Sequence, residues 1–433
     1  MAKESFRQQL KQEAEQWQRE NLISAELFEE LSKRYEFAAL PRSGQVFSTI
    51  LYYLGGVLIG LGVITFVAAN WPYLDRWTKV ILLMTWLVTV NSLGFYLWQY
   101  NLKFQKLGQG LLLLGNLSLG ATIALIAQIF NLSGPTYGLF LTWSVGVIAM
   151  GAFLRFQTLS MLGLILMTIG YLSYTSSYMP EFNLIADGMP YLSIILIPLA
   201  YWLESRAVFA LISLLWLTSL AEIVWDMNRI LSFVLPATIL WGYNDTLKID
   251  RLGSYLSTKP MQPIGRTISL LLFSLGLYVY SFRYSWREYS PDFERNSIGQ
   301  LYFGLMLGLS LYVIISQLFL TRDNLMGKIY MGIITVFALL GLLNIEPIFS
   351  IFVTNCLLAV FSFGLIRIAI ENSNRRNFWF GMILLCLQIM SRVFEYDTDL
   401  LVKAFTLALG GIAVLVMGIW FESHLNKSTE VNS

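Results

Sequence analysis

The sequence predicts an all-α, polytopic helical membrane protein with about 14 transmembrane helices and a short N-terminal cytosolic helical hairpin. Fourteen apolar stretches recur between Phe47 and Phe421, and short polar connectors separate them. Apolar residues make up 56% of the 433 residues, and charged residues only 13%, which is about half of the fraction usual in soluble domains. Because lipid cannot satisfy free backbone N–H and C=O groups, such stretches must form helices.

Residues 1–43 predict two soluble helices that form a hairpin. Apolar side chains recur at helical spacing over residues 6–17 and again over residues 23–35. Asn21 lies between the two stripes and tolerates the left-handed conformation that closes a helix, and Ser24 can cap the second helix. The two apolar stripes can cover each other. An amphipathic helix on the membrane surface is the alternative, although the acidic residues of the second stripe disfavour it.

The predicted spans follow the hairpin, and two of them are short. Spans 191–203 and 230–241 have fewer than the roughly 20 residues that a crossing helix needs, and the second contains Pro236. If both are re-entrant or broken, 12 spans remain and the orientation elsewhere is unchanged. The full set is 47–69, 80–98, 108–130, 137–153, 159–174, 191–203, 208–225, 230–241, 268–282, 298–320, 329–343, 348–370, 378–393 and 404–421.

The longest polar connector between spans divides the membrane part. It contains Pro260 and Pro263 and follows the eighth predicted span. The predicted organisation is a cytosolic leader (1–43), a first bundle of about eight spans (44–241), a cytosolic connector (242–265), a second bundle of about six spans (266–422) and a disordered tail (423–433).

Basic residues predict the orientation of the chain. With the N-terminus inside, 21 of the 29 Lys and Arg residues fall in inner segments and 8 in outer ones. Arg266 and the pair Arg375–Arg376 are among the inner residues. Because cytoplasmic loops carry an excess of Lys and Arg, both termini are predicted to be cytoplasmic.

Several kinds of site are not predicted. The net charge of +2 offers no basic stripe for nucleic acid. His424 is the single histidine, so neither a haem nor a metal site is expected. Cys356 and Cys386 lie inside predicted spans and are expected to be free thiols. No phosphate loop or nucleophile–base pair is present, so we expect no cofactor and no enzymatic activity.

Polar residues at the outer ends of the first and third spans form the main candidate site. Asn70 and Trp71 end the first span, and Gln128 and Asn131 end the third. Amides at membrane depth seek partners on neighbouring helices, so the four residues are predicted to form one outward-facing polar cluster. In the alternative interpretation, the two asparagines close helix ends and Trp71 belongs to the interfacial aromatic belt.

A second candidate is a cation or proton site near the outer end of the seventh span. Glu222 and Asp226 are four residues apart and therefore share a helix face. Two close carboxylates can bind a cation or share a proton. A solvated acid pair neutralised by Arg229 is the alternative. Asn116, in the middle of the third span, predicts a hydrogen bond between helices.

Two patterns predict structure rather than activity. Gly304 and Gly308 are spaced so that two helices can approach closely. The acidic run Glu395, Asp397 and Asp399 follows the thirteenth span and is expected to be solvated.

The N-terminal third resembles a known family. The features are Trp17, Leu-Ile-Ser at 22–24, Phe-Val-Ala-Ala-Asn-Trp at 66–71, Ile-Ala-Gln-Ile-Phe-Asn at 126–131, and Trp143. Over about residues 1–155 they resemble domain-of-unknown-function family 2157, a family of prokaryotic predicted membrane proteins. The resemblance implies a multi-pass protein of the prokaryotic plasma (inner) membrane, and it implies no activity, substrate or cofactor.

Two main functional hypotheses follow for a chain with the lipid bilayer as its surroundings, and a membrane enzyme is a third, less favoured alternative because no acid–base or metal set stands out. The first is a transporter or lipid-handling protein that uses the outward-facing polar cluster. The alternative is a non-catalytic membrane scaffold or regulator that docks a protein partner on the cytosolic leader. No nucleic-acid partner is expected, and the sequence assigns no oligomeric state.

Overall fold

The structure is a computed structural model, and every regular element in its described part is a helix. It describes residues 10–35 (except 12, 15, 19 and 21), 69, 71–175, 184–245, 261–286, 297–320, 325–343, 345–395 and 399–431. The predicted all-α class is therefore confirmed for this part. Contacts divide the chain into two units, 1–85 and 86–433, which are described separately.

The leader forms the predicted helical hairpin. Its first helix, α1, is helical at each described position of residues 10–18, and its second, α2, spans Ala25–Arg34. Ser24 caps α2, because its Oγ accepts a hydrogen bond from the Leu27 N–H at 3.3 Å. Ala14 is fully buried, and apolar side chains from both helices surround it, namely Leu10, Trp17, Phe28, Leu31 and Tyr35. The cytosolic location of the hairpin stays a prediction.

The predicted first bundle contains eight described helices. Side-chain caps begin two of them: Asp75 accepts from the Trp77 N–H at 3.1 Å, and Ser205 accepts from the Val208 N–H at 3.2 Å. The helices are α3 (Arg76–Tyr100), α4 (Gln105–Ile129), α5 (Thr136–Phe153), α6 (Gln157–Thr175), α7 (Leu184–Ile195), α8 (Ile197–Trp202), α9 (Arg206–Met227) and α10 (Leu231–Asp245).

The predicted second bundle contains six described helices. A π-helical turn, Ser316–Leu320, follows the second of them. The last helix runs to Val431 and so differs from the disordered tail predicted for 423–433, because the apolar helix continues into the polar residues that follow it. The helices are α11 (Gln262–Tyr280), α12 (Ser297–Ile315), α13 (Leu325–Leu342), α14 (Pro347–Glu371), α15 (Arg375–Glu395) and α16 (Leu400–Val431).

The described helices agree with the predicted spans. Every predicted span from 80–98 onward coincides with one helix or with a consecutive pair, whereas span 47–69 lies outside the described residues except Ala69. Among the described residues, 9 helices are long and apolar enough to cross a membrane, and four apolar helices are shorter. The chain is therefore a polytopic helical protein, and the count of 14 crossings stays a prediction.

The two short predicted spans have different structures. Span 191–203 is a broken helix, because α7 ends at Ile195 and α8 begins at Ile197. Pro198 explains the break, since its ring has no N–H and clashes with the carbonyl one turn earlier. Span 230–241 is a single helix, α10, with Pro236 inside it.

Glycines allow close helix packing between α5 and α6. A Cβ atom on Gly151 would lie 2.5 Å from Ser160 Oγ, and a Cβ on Gly163 would lie 2.5 Å from Ile148 Cγ1. The two backbones therefore approach more closely than larger residues permit. The close approach predicted at Gly304 and Gly308 is not found within the described part of the chain, where a Cβ at either would meet no atom within 4 Å.

Aromatic rings fill the core shared by α10, α11, α13 and α14. The Tyr330 ring centroid lies 4.3 Å from that of Trp241 and 5.2 Å from that of Phe273. The Tyr330 hydroxyl lies 2.9 Å from Ser269 Oγ, and Ser269 Oγ donates to the Ala237 carbonyl at 2.5 Å. The buried polar atoms thus satisfy one another, and the core holds the start of α11 beside the end of α10.

Candidate functional site

The structure describes three of the four residues of the predicted outward-facing cluster. Asn70 lies outside the described residues. Trp71 begins a short 3-10 helix, Trp71–Tyr73, and the Lys79 Nζ lies 5.6 Å from the centre of its ring. Gln128 and Asn131, at the end of α4, are exposed. The cluster of these four residues stays a prediction.

Asn131 closes α4 through its backbone. Its φ is +52°, and the Leu132 N–H donates to the Ala127 carbonyl at 2.8 Å. This is the left-handed closure that Gly and Asn favour at helix C-termini. The backbone conformation alone therefore explains why an asparagine occupies this position, and no bound ligand is needed to explain it.

Glu222 and Asp226 both lie on α9, four residues apart on one helix face. The structure describes their backbone but not the surroundings of their side chains. The cation or proton site therefore stays a prediction.

Asn116 makes the predicted hydrogen bonds between helices. It is 2% exposed, and its Nδ2 lies 2.9 Å from the Leu112 carbonyl, 3.3 Å from Asn91 Oδ1 and 3.2 Å from Met150 Sδ. Its own carbonyl accepts from Trp143 Nε1 at 2.8 Å. These contacts join α3, α4 and α5, and they indicate a structural role for the amide.

Glu395 forms a half-buried ion pair, so the expectation that it is solvated is wrong. Its carboxylate pairs with Arg392, and the two side chains are only 17% and 19% exposed. The other carboxylate oxygen accepts from the Arg283 N–H at 2.7 Å. Arg392 also donates to the Ser281 carbonyl at 2.7 Å. The spacing of Arg392 and Glu395, three residues apart on one helix, was the sequence signal for this pair.

Two amides extend this polar group across α14 and α15. Asn355 Nδ2 donates to the Ser281 carbonyl at 3.0 Å. Gln388 Nε2 donates to the Asn355 carbonyl at 2.8 Å. Together with Arg392, these side chains fasten the turn after α11 to two neighbouring helices.

A pocket of roughly 470 Å³ opens where α10 ends and where α11 and α15 begin. Among the described residues, its lining combines two arginines and three neutral polar residues with apolar and aromatic side chains. Such a mixture of convergent polar groups and apolar walls is typical of ligand sites. The lining residues are Trp241, Gln262, Pro263, Arg266, Thr267, Leu270, Leu271, Arg376, Asn377 and Phe380.

The part of the lining that α11 contributes changes from polar to apolar along the helix axis. Gln262, Arg266 and Thr267 come first, and Leu270 and Leu271 follow one turn later. Residues four apart share a helix face, and four residues advance about 6 Å along the axis. The pocket therefore has a polar end and an apolar end.

The start of α15 repeats this order. Arg376 and Asn377 line the polar end, and Phe380 lies one turn further along. Asn374 caps the helix, because its Oδ1 accepts from the Asn377 N–H at 3.3 Å. The N-termini of two helices thus lie at the polar end of the pocket.

Trp241 connects the pocket to the aromatic core. The Arg266 guanidinium carbon lies 5.4 Å from the centre of its ring, a cation–π contact. The ring is 2% exposed, and its buried Nε1–H has no hydrogen-bond acceptor among the described residues. An indole N–H is only a donor, so an acceptor for it has to come from outside the described residues.

Sequence reasoning missed this pocket because it treats Arg266 and Arg376 only as charges that orient the chain. The sequence pattern that could have indicated the pocket is present at each helix start. Gln262 and Arg266 are four residues apart, as are Arg376 and Phe380, so each pair shares one helix face. The meeting of two such starts, more than 100 residues apart in the chain, is a property of the fold.

A family profile described as "Predicted membrane protein (DUF2157)" matches residues 15–160. The resemblance is confirmed. Together with the long apolar helices of the described part, the match identifies a multi-pass membrane protein. The pocket residues lie beyond the matched segment. No curated protein and no solved structure matches the chain.

Proposed function

We propose that this membrane protein handles lipid, and that the pocket at the starts of α11 and α15 binds a membrane amphiphile. The polar-to-apolar order along both helices carries the proposal. A polar group fits beside Arg266 and Arg376, and an apolar chain fits along Leu270, Leu271 and Phe380. A small water-soluble substrate would leave this apolar wall uncovered.

The predicted topology supports the proposal, because it places both helix starts at the cytoplasmic surface of the membrane. Lipid headgroups occupy this depth, and basic pockets between transmembrane helices on this side are typical of headgroup binding. Cysteine labelling from either side of the membrane tests the depth. We expect Arg376→Cys to react from the cytoplasm and Arg283→Cys from outside, in a chain whose Cys356 and Cys386 are replaced by serine.

A scaffold role of the leader is the competing proposal. The observation that favours it is Leu22, which is 67% exposed in the turn of the hairpin and is available to a protein partner. Neither proposal assigns a catalytic reaction to the chain.

Photo-crosslinking tests the lipid-handling proposal. The protein is reconstituted in nanodiscs that contain a phospholipid with a photoreactive acyl chain, and the crosslinked peptide is identified by mass spectrometry. We expect label in the segments 262–271 and 376–380. Leu271→Gln should lower the label there roughly fivefold, because a lost leucine contact of about 1 kcal/mol corresponds to that factor.

Leu275→Gln is the matched control. Leu271 is 51% exposed and Leu275 is 52% exposed, both lie on α11, and only Leu271 lines the pocket. Equal labelling of the two variants would contradict lipid binding in the pocket. The scaffold proposal would be favoured if, in addition, a protein partner bound the chain with an intact leader and did not bind a chain without it.

A further inference from the structure

We propose that the pocket selects phosphate-bearing anions, with Arg266 and Arg376 binding the phosphate oxygens and the Trp241 Nε1–H completing the donor set. This inference rests on the proposed function and names the chemical class of its ligand. The same phosphate chemistry occurs in an anionic phospholipid headgroup and in a soluble phosphate compound, so the experiment below separates the two sources.

The charge of the lining supports an anion. The described residues that line the pocket include two arginines and no carboxylate. Guanidinium groups are planar and always charged, and they present N–H donors in a fork that matches phosphate oxygens. A headgroup that carries its own cation, such as choline, would bring like charge against the second arginine.

The neutral donors of the pocket support the same ligand. Trp241 brings a buried N–H that has no acceptor among the residues described, and Asn377 adds a side-chain amide. A phosphate group offers several strong acceptor oxygens on one centre, so it can accept from more than one of these groups at once.

The two helix starts add a favourable field. The residue before α11, Met261, makes no side-chain cap, and no acidic residue lies in the first turn of this 19-residue helix. The N-terminal end of a helix carries a partial positive charge that stabilises anions. The end of α15 that contains Arg376 contributes a second field of the same sign.

Competition between two lipids tests the inference. The full chain is reconstituted in nanodiscs with photoreactive phosphatidylglycerol or with photoreactive phosphatidylcholine that has the same acyl chains. We expect phosphatidylglycerol to label segments 262–271 and 376–380 roughly tenfold more strongly, because both headgroups carry the phosphate but only choline brings a cation against the two arginines. Inorganic phosphate is added to parallel samples as a competitor.

Charge variants assign the effect to the pocket. Arg376 is exposed, so Arg376→Gln should fold normally and remove most of the preference. Arg375→Gln, which removes the neighbouring charge outside the lining, should keep it. Arg266→Lys retains a charge beside Trp241 and, without the planar fork, should show an intermediate preference. Trp241→Phe should weaken the preference although it keeps an aromatic ring.

The outcomes separate this inference from the proposed function. Equal labelling by both lipids would overturn the selectivity for an anion and leave lipid binding in place. Labelling by neither lipid would overturn both, unless inorganic phosphate alone raises the melting temperature of the wild type and not that of Arg376→Gln. That last result would support the phosphate chemistry with a soluble source and would overturn the lipid proposal.

Discussion

The Arg266 guanidinium lies 5.4 Å from the centre of the Trp241 ring, and the Tyr330 ring lies at a centroid distance of 4.3 Å from the same ring. One tryptophan therefore contacts both the pocket and the core that joins α10, α11, α13 and α14. The proposed ligand at Arg266 would therefore stabilise the same arrangement that the core requires.

We expect an anionic phospholipid to raise the thermal stability of the protein. A ligand that binds only the folded state at about 100 times its Kd contributes about 2.7 kcal/mol, which corresponds to a shift of a few degrees in Tm. Fluorescence-detected size exclusion after heating measures the shift. Phosphatidylcholine is the control lipid, and a shift that persists in Arg376→Gln would place the stabilising site elsewhere.

The hydrogen bond from Trp143 to the Asn116 carbonyl should contribute to the stability of the first bundle. Trp143→Phe removes a donor at 2.8 Å and should cost about 1 kcal/mol. Trp86→Phe is the control, because Trp86 Nε1 donates to Ser118 at 3.3 Å on the exposed side of its helix. Unfolding in denaturing detergent measures both variants, and an equal cost would show that ring size rather than the hydrogen bond matters.

Glu395→Gln should destabilise the second bundle. It leaves Arg392 half-buried without its counter-charge, and breaking such a pair costs about 2–3 kcal/mol where solvent access is small. Asp399→Asn is the control in the same acidic run. Limited proteolysis after Arg283 provides the measurement, since the Glu395 carboxylate holds that backbone N–H at 2.7 Å. An unchanged rate of proteolysis after Arg283 would show that the Glu395 carboxylate does not stabilise this turn.

Asn131 provides a test of the predicted outward-facing cluster. Because its φ is +52°, Asn131→Gly should preserve stability and Asn131→Leu should lower it by about 1 kcal/mol. A functional amide would instead be lost in both variants. If lipid labelling falls in Asn131→Gly while protein abundance is unchanged, the side chain has a role beyond closing α4.

Local patterns in the sequence account for much of the fold. The lengths of the apolar stretches predict the helices from 80–98 onward, and the two apolar stripes of the leader predict the hairpin around Ala14. Both predictions succeed because each pattern depends only on residues close together in the chain. A broken helix is one alternative for the two short spans, but proline chemistry alone does not say which one breaks, because α10 continues through Pro236. The depth of Asn116 in its span predicts its hydrogen bonds.

Contacts between distant segments account for what the sequence did not predict. Gly304 and Gly308 have the spacing of a packing motif, but the motif does not specify which face meets another helix. Glu395 follows a span and so resembles a loop residue in the sequence. In the fold it pairs with Arg392 and accepts a hydrogen bond from the backbone N–H of Arg283, which lies more than 100 residues earlier in the chain. The pocket depends in the same way on α10, α11 and α15 meeting at one end.

The most direct test of the central claim is an electron cryo-microscopy map of the protein in nanodiscs that contain phosphatidylglycerol. We predict an elongated density whose head lies between Arg266 and Arg376, with its phosphate at ~3 Å from guanidinium nitrogens, and whose tail follows Leu270 and Leu271. A map that resolves lipids elsewhere around the helices and none between the starts of α11 and α15 would contradict the account.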